Sequence, residues 1–151
     1  MKVLLIEDDD FKAGKIRRVV EIERVVSSLS LARSVSSGIA ALNADIPDLL
    51  LLDMSLTTYD LGPDEGGWRP RNFGGIEIFE ELDRLEIELP VVVVTGFETF
   101  QRDSRPITIS ELRKDLRERF PGNFCAIIYF DVEGSWKARL QGLLKKYGRR
   151  K

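Results

Sequence analysis

The side chains that could do chemistry in this chain are acids. Glu7, Asp8, Asp9 and Asp10 form an unbroken run, and Asp53 follows the four leucines Leu49, Leu50, Leu51 and Leu52. Carboxylates brought together repel one another unless protons or a cation neutralise them, and an all-oxygen cluster suits a hard divalent ion. A carboxylate beside such an ion is a feasible phosphoryl acceptor, because the metal neutralises the transferring oxygens. Thr95, at the end of the apolar run 91–94, adds a hydroxyl able to bond a phosphoryl oxygen. Asp9 and Asp10 read as helix caps and solvated charge rather than ligands.

Converging these groups requires strands that end where they stand. Val3-Leu4-Leu5-Ile6 and the leucine run both lead directly into acids. Apolar runs without alternation mark strands buried on both faces, as in the middle of a parallel sheet, and such sheets bind ligands beyond the carboxyl ends of their strands. If the two strands lie side by side, Glu7, Asp8 and Asp53 meet at one edge.

The other elements follow from periodicity. Phe11, Ile16, Val19, Val20, Ile22, Val25 and Val26 predict a helix over 11–29, with Lys12, Lys15, Arg17 and Arg18 on the solvated side. Residues 31–35 alternate like an edge strand, and Ser36 or Ser37 can cap a short helix over 38–44. Residues 57–74, rich in glycine and proline, predict a long inserted loop in which Trp68 and Phe73 pack on something. Helical period resumes at Ile76, Phe79, Leu82 and Leu85, and 91–94 is a doubly buried strand. Loop is expected over 97–106, a charged helix capped by Ser110 over 109–120, a strand over 124–130 and a helix over 135–147. Five strands alternating with five helices predict right-handed βαβ crossovers and a doubly wound parallel sheet.

Composition bounds the function. The 151 residues are one domain's worth, and 43% are hydrophobic, enough for a core. With 23 basic against 25 acidic residues the formal charge is −2, so nothing favours nucleic acid or an anionic membrane as partner. The basic tail at 145–151 reads as a solvated helix end. Histidine is absent, which removes histidine general-base chemistry, histidine-bound zinc and a phosphohistidine relay within the chain. Cys125 is the one cysteine, so a reducing cytoplasm is expected, with neither signal peptide nor membrane span.

Four phrases then occur in a telling order: Leu4-Leu5-Ile6-Glu7-Asp8-Asp9, Gly38-Ile39-Ala40-Ala41-Leu42, Pro47-Asp48-Leu49-Leu50-Leu51-Leu52-Asp53 and Pro90-Val91-Val92-Val93-Val94-Thr95-Gly96. From residue 1 to about residue 96 the chain resembles the receiver domain of two-component response regulators. The resemblance implies a flavodoxin-like, doubly wound, five-stranded parallel sheet of order 2-1-3-4-5 with helices on both faces. It implies that Asp53 accepts a phosphoryl group from a histidine kinase or phosphotransfer protein. It assigns Mg²⁺ to Glu7, Asp8, Asp53 and the backbone carbonyl of Ser55, with Glu7 able to act through water, and makes Thr95 the switch hydroxyl. The whole of 1–151 then reads as a single stand-alone receiver-like domain in phosphorelay signalling. It is a phosphoacceptor rather than an enzyme and acts through a downstream protein partner; homodimerisation is left open.

The chain departs from that pattern in three places. The family carries a lysine at the end of the last strand, whereas Ala126-Ile127-Ile128-Tyr129-Phe130-Asp131-Val132 has none, and Lys137 falls within the next helix. Asp131 would put a negative charge where a cation is expected. Losing the cation forfeits a charge-assisted bond of roughly 1.5–3 kcal/mol and opens an alternative, a receiver-like interaction module that is not phosphorylated. Second, Thr57 replaces a usual proline, and the glycine that follows has moved to Gly74 or Gly75 behind the loop, whose Asp60, Asp64 or Glu65 could reach the site. Third, the charged segment between Thr95 and the last strand is long, and reads as a solvated face or a docking surface. A Mg²⁺-dependent phosphatase using Asp53 would carry a second aspartate where Ser55 stands.

Overall fold

The computed structural model describes residues 1–57, 59–60, 74–102 and 105–149. Its central sheet is parallel throughout and consists of β1 (Lys2–Ile6), β2 (Ser28–Ala32), β3 (Leu49–Leu52), β4 (Val91–Thr95) and β7 (Phe124–Tyr129). The strand order is β2-β1-β3-β4-β7. This is the expected 2-1-3-4-5 order, with a hairpin interposed before the last strand.

Five helices cover the sheet: α1 (Asp10–Glu21), α2 (Val35–Ala44), α3 (Gly74–Arg84), α4 (Ile109–Arg119) and α5 (Trp136–Gly148). Alternation along β3 divides the core in two. Leu50 and Leu52 pack with residues of α2, α3 and α4 on one face, and Leu49 and Leu51 with those of α1 and α5 on the other. All four leucines are fully buried, each contributing roughly 1.5–3 kcal/mol over exposure.

Several boundaries differ from the sequence reading. α1 stops at Glu21, and β2 begins at Ser28, within the span expected to be helical. The reason is that β2 is an edge strand: Ser28 and Leu31 stay exposed, so apolar alternation is weak there. Ile22, expected in the core, is 71% exposed. Residues 97–106, expected as loop, contain most of an antiparallel hairpin of β5 (Thr99–Arg102) and β6 (Arg105–Thr108). Capping also shifts. Ser34 caps α2 through Ser37 N at 3.1 Å, and Thr108 caps α4 in a reciprocal box with Glu111. Both replace the later serines expected in that role.

The start of α3 explains the displaced glycines. A Cβ on Gly75 would lie 2.8 Å from both the Asp53 carbonyl oxygen and Met54 Cα, and one on Gly74 would run into the Leu56 carbonyl. Glycine lets this helix press directly on the backbone that follows β3. Among the described residues no helix is long and apolar enough to cross a membrane.

Candidate functional site

The pairing of β1 with β3 brings the acids together. Ile6 stands opposite Leu52 in the register, and Asp53 N donates to Ile6 O at 3.0 Å. The next residues on each strand therefore emerge together at the carboxyl edge. Glu7 and Asp53 are 2% and 3% exposed, Asp8 is half-buried, and one carboxylate oxygen from each lies within 4.8 Å of the others. They border a cavity of about 340 Å³ that Ser55 and Thr57 also line. Phe11, Phe97 and Phe130 give this cavity aromatic walls.

α1 then supplies what the sequence reading missed. Asp9 caps the helix as expected, accepting from Phe11 N at 2.9 Å, while Asp10 pairs at the surface with Arg33. Lys12, placed on the solvated side by its polarity, is instead 6% exposed. Its ammonium lies 2.6 Å from Glu7 Oε1, 3.3 Å from Asp53 Oδ1 and 2.7 Å from the Val94 carbonyl oxygen. It donates to Asp53 Oδ1 and the Val94 carbonyl and forms an ion pair with Glu7 Oε1. The correction has a geometric cause. Lys12, Ile16, Val19 and Val20 fall at i, i+4, i+7 and i+8, one buried stripe, whereas Phe11 lies off it and is 70% exposed. Spacing held the signal that residue polarity concealed.

The electrostatics follow from burial. Burial, and next the charge of Asp53, push the Glu7 carboxyl up to about 9 although Lys12 pulls the other way. Burial also works against the Lys12 charge, but Asp53 and Glu7 outweigh it and hold the ammonium above its ordinary value. Lys12 is thus a fixed positive charge at the floor of an acidic site.

The remaining expectations distribute around this floor. Thr95 is fully buried on β4; its hydroxyl accepts from Phe97 N at 3.2 Å and its carbonyl from Phe130 N at 2.8 Å. Asp131 does not add its charge to the site. It caps α5, accepting from Ser135 N at 3.1 Å and Trp136 N at 3.0 Å. Phe130 is the residue that turns into the cavity at the end of β7, and Lys137 lies exposed over the Trp136 ring. Asp60 accepts from Ser37 Oγ at 2.8 Å at the start of α2 and does not line the cavity. Asp64, Glu65, Trp68 and Phe73, as well as the last two residues of the basic tail, lie outside the described residues.

The donor set can be tested against a divalent cation. Only oxygens are offered, which suits Mg²⁺. Asp8, Asp53 and Ser55 border the cavity, and Ser55 Oγ is buried there without a hydrogen-bond partner among the described residues. Glu7 Oε1 faces Lys12 as an ion pair but, like Ser55 Oγ, is buried without a hydrogen-bond partner among the described residues, while Oε2 accepts from Asp9 N at 3.2 Å. Glu7, Asp8 and Asp53 together offer carboxylate oxygens that fit such an ion, and Ser55 borders the same cavity.

No family model matches the chain. Its relatives include the uncharacterized protein y4jR of Sinorhizobium fredii, 31% identical over 145 residues that cover 93% of this chain and 95% of that protein. The Detocs response regulatory protein DtcB of Enterobacter cloacae is 29% identical over 143 residues, with 93% and 95% covered. Among solved structures, the receiver domain of the Francisella response regulator 1452 superposes with a TM-score of 0.66 at 17% identity, covering 99% of this chain and 97% of that one. The chain has the fold of response-regulator receiver domains, and a response regulatory protein is among its relatives. The Mn²⁺-bound form of response regulator Rcp1 also shares the receiver's fold, with a TM-score of 0.62 at 18% identity and 94% and 90% coverage. Two local features stand at that edge in this chain: Phe130, just after the last sheet strand, and Lys12, reaching the acids from the first helix.

Proposed function

We propose that this receiver-like domain takes a phosphoryl group on Asp53 from a histidine kinase or phosphotransfer protein. One observation carries the reading: the Asp53 carboxylate is grouped with Glu7 and Asp8 within 4.8 Å at the border of a cavity on the carboxyl edge of the sheet. DtcB is called a response regulatory protein and Rcp1 binds Mn²⁺, and both point the same way. Asp8, Asp53 and the Ser55 carbonyl would hold Mg²⁺, with Glu7 acting at one remove through water. The ion would supply positive charge to the transferring oxygens.

The chain's own residues do the rest. β3 fixes Asp53 with its backbone bonded to β1, so the acceptor oxygen needs no reorganisation before attack. The aromatic walls limit water around the acyl phosphate once it forms. Thr95, one strand over, serves as the switch hydroxyl by exchanging its contact with Phe97 N for a phosphoryl oxygen, which would move the segment after β4. Output then passes through protein contacts in the cytoplasm, with no catalytic turnover beyond phosphoryl uptake and loss.

The test is intact-mass measurement of the protein incubated with acetyl phosphate and Mg²⁺, beside Asp53→Ala. A phosphate-sized gain in the parent alone supports the reading, and no gain in the parent overturns it. Phe130 at the end of β7, in place of a cation, favours a second reading, an interaction module that is never phosphorylated. That reading requires partner binding to survive Asp53→Ala unchanged.

A further inference from the structure

We infer that Lys12 is the phosphoryl-pairing cation of this receiver, delivered by the first turn of α1 instead of the end of the last strand. The inference rests on the Asp53 acceptor reading and goes beyond it by assigning a residue that the family resemblance does not supply. Three observations carry it. The ammonium is almost wholly withdrawn from solvent, with its side chain 7% exposed, so its charge acts in a medium of low dielectric. It lies against the acceptor itself, 3.3 Å from Asp53 Oδ1. Phe130 lines the cavity at the end of β7, and Lys137 lies exposed over Trp136, so neither supplies a cation there.

The contacts of Lys12 also provide a route for exchange. In phosphoryl transfer from acetyl phosphate, an Asp53 oxygen forms a bond to phosphorus as the bond from phosphorus to acetate breaks. Acetate leaves with the electron pair, and no proton moves. The acceptor carboxylate becomes an acyl phosphate, so its own negative charge is replaced by the charge of the phosphoryl oxygens. The contact to Asp53 is the longest of the three that Lys12 makes. It is the one that weakens when Asp53 loses its charge, freeing one N–H for a phosphoryl oxygen. The bond to the Val94 carbonyl joins this movement to β4, next to Thr95.

The test compares acetyl phosphate uptake with Mg²⁺ in the parent, Lys12→Gln and Lys12→Met, with folding of each checked by circular dichroism. Uptake slowed by about ten-fold or more in both variants supports the inference. Parent-like rates in folded variants overturn it and leave Asp53 as acceptor. A parent that takes no phosphoryl group overturns the acceptor reading and this inference together. Should neither variant fold, the parent suffices. Its Lys12 ammonium signal, assigned by ¹⁵N NMR and slowed in exchange by burial, shifts when Asp53 is phosphorylated. A signal that does not move overturns the inference.

Discussion

Lys12 Nζ stands 2.6 Å from Glu7 Oε1, with both side chains nearly closed to solvent. Five residues apart, they meet because Glu7 leaves the end of β1 and Lys12 points back from the first turn of α1. Burial keeps the Glu7 carboxyl protonated at neutral pH, so removing Lys12, which also lies 3.3 Å from Asp53 Oδ1, leaves the buried Asp53 carboxylate uncompensated. Lys12→Met is therefore expected to lower stability by about 3 kcal/mol in chelator at neutral pH. Denaturant unfolding measures this, and adding Asp53→Asn to Lys12→Met should restore part of the loss. Equal losses in the single and double variants would mean that Lys12 and Asp53 are not coupled.

Packing behind the acceptor makes a second prediction. Gly75→Ala sets a methyl group 2.8 Å from the Asp53 carbonyl oxygen and Met54 Cα. Backbone has to move, at a cost of about 1–3 kcal/mol, and the movement reaches the Asp53 backbone. Gly14→Ala in α1 meets nothing within 4 Å and should be neutral or stabilising, by up to about 1 kcal/mol. Thermal melts of the two variants separate these effects.

Acid should expose the cap on α5. Burial tends to raise the Asp131 carboxyl, but bonds from the Ser135 hydroxyl and from the Ser135 and Trp136 amides outweigh it and hold the group below its ordinary value. A depressed carboxylate pKa contributes stability that is present above the unfolded-state value and is lost as pH falls through the folded one. Asp131→Ala should therefore melt below the parent at neutral pH, and the gap should narrow as pH drops below about 4. A gap that stays constant into acid would remove ionisation from the account of this cap.

The sheet was legible in the sequence because its strands are doubly buried. Val3 to Ile6, Leu49 to Leu52 and Val91 to Val94 carry no polar residue, and each leads to a residue of the site or its neighbour on β4. The edge strand was misplaced because Ser28 and Ser30 face no strand on their outer side, which leaves apolar alternation nothing to report. The hairpin of β5 and β6 is short and follows Thr95-Gly96, so turn chemistry masked its pairing. The reciprocal cap Thr108-Ile109-Ser110-Glu111 was present as a pattern, and the nearer serine was chosen over it.

Within the site, the acids followed from strand ends and the lysine did not. Sorting α1 by polarity sends Lys12 outward and Phe11 inward. Sorting it by position puts Lys12 on the stripe of Ile16, Val19 and Val20. Position prevails because Glu7 and Asp53 make the buried end of that stripe a place where a cation is favoured.

Acetyl phosphate and Mg²⁺ should add one phosphate-sized mass to the protein, mapped by peptide mass spectrometry to Asp53 and absent from Asp53→Asn. An Asp53→Asn variant that still takes up phosphate stoichiometrically, or a parent that takes up none, would contradict phosphoryl acceptance at Asp53.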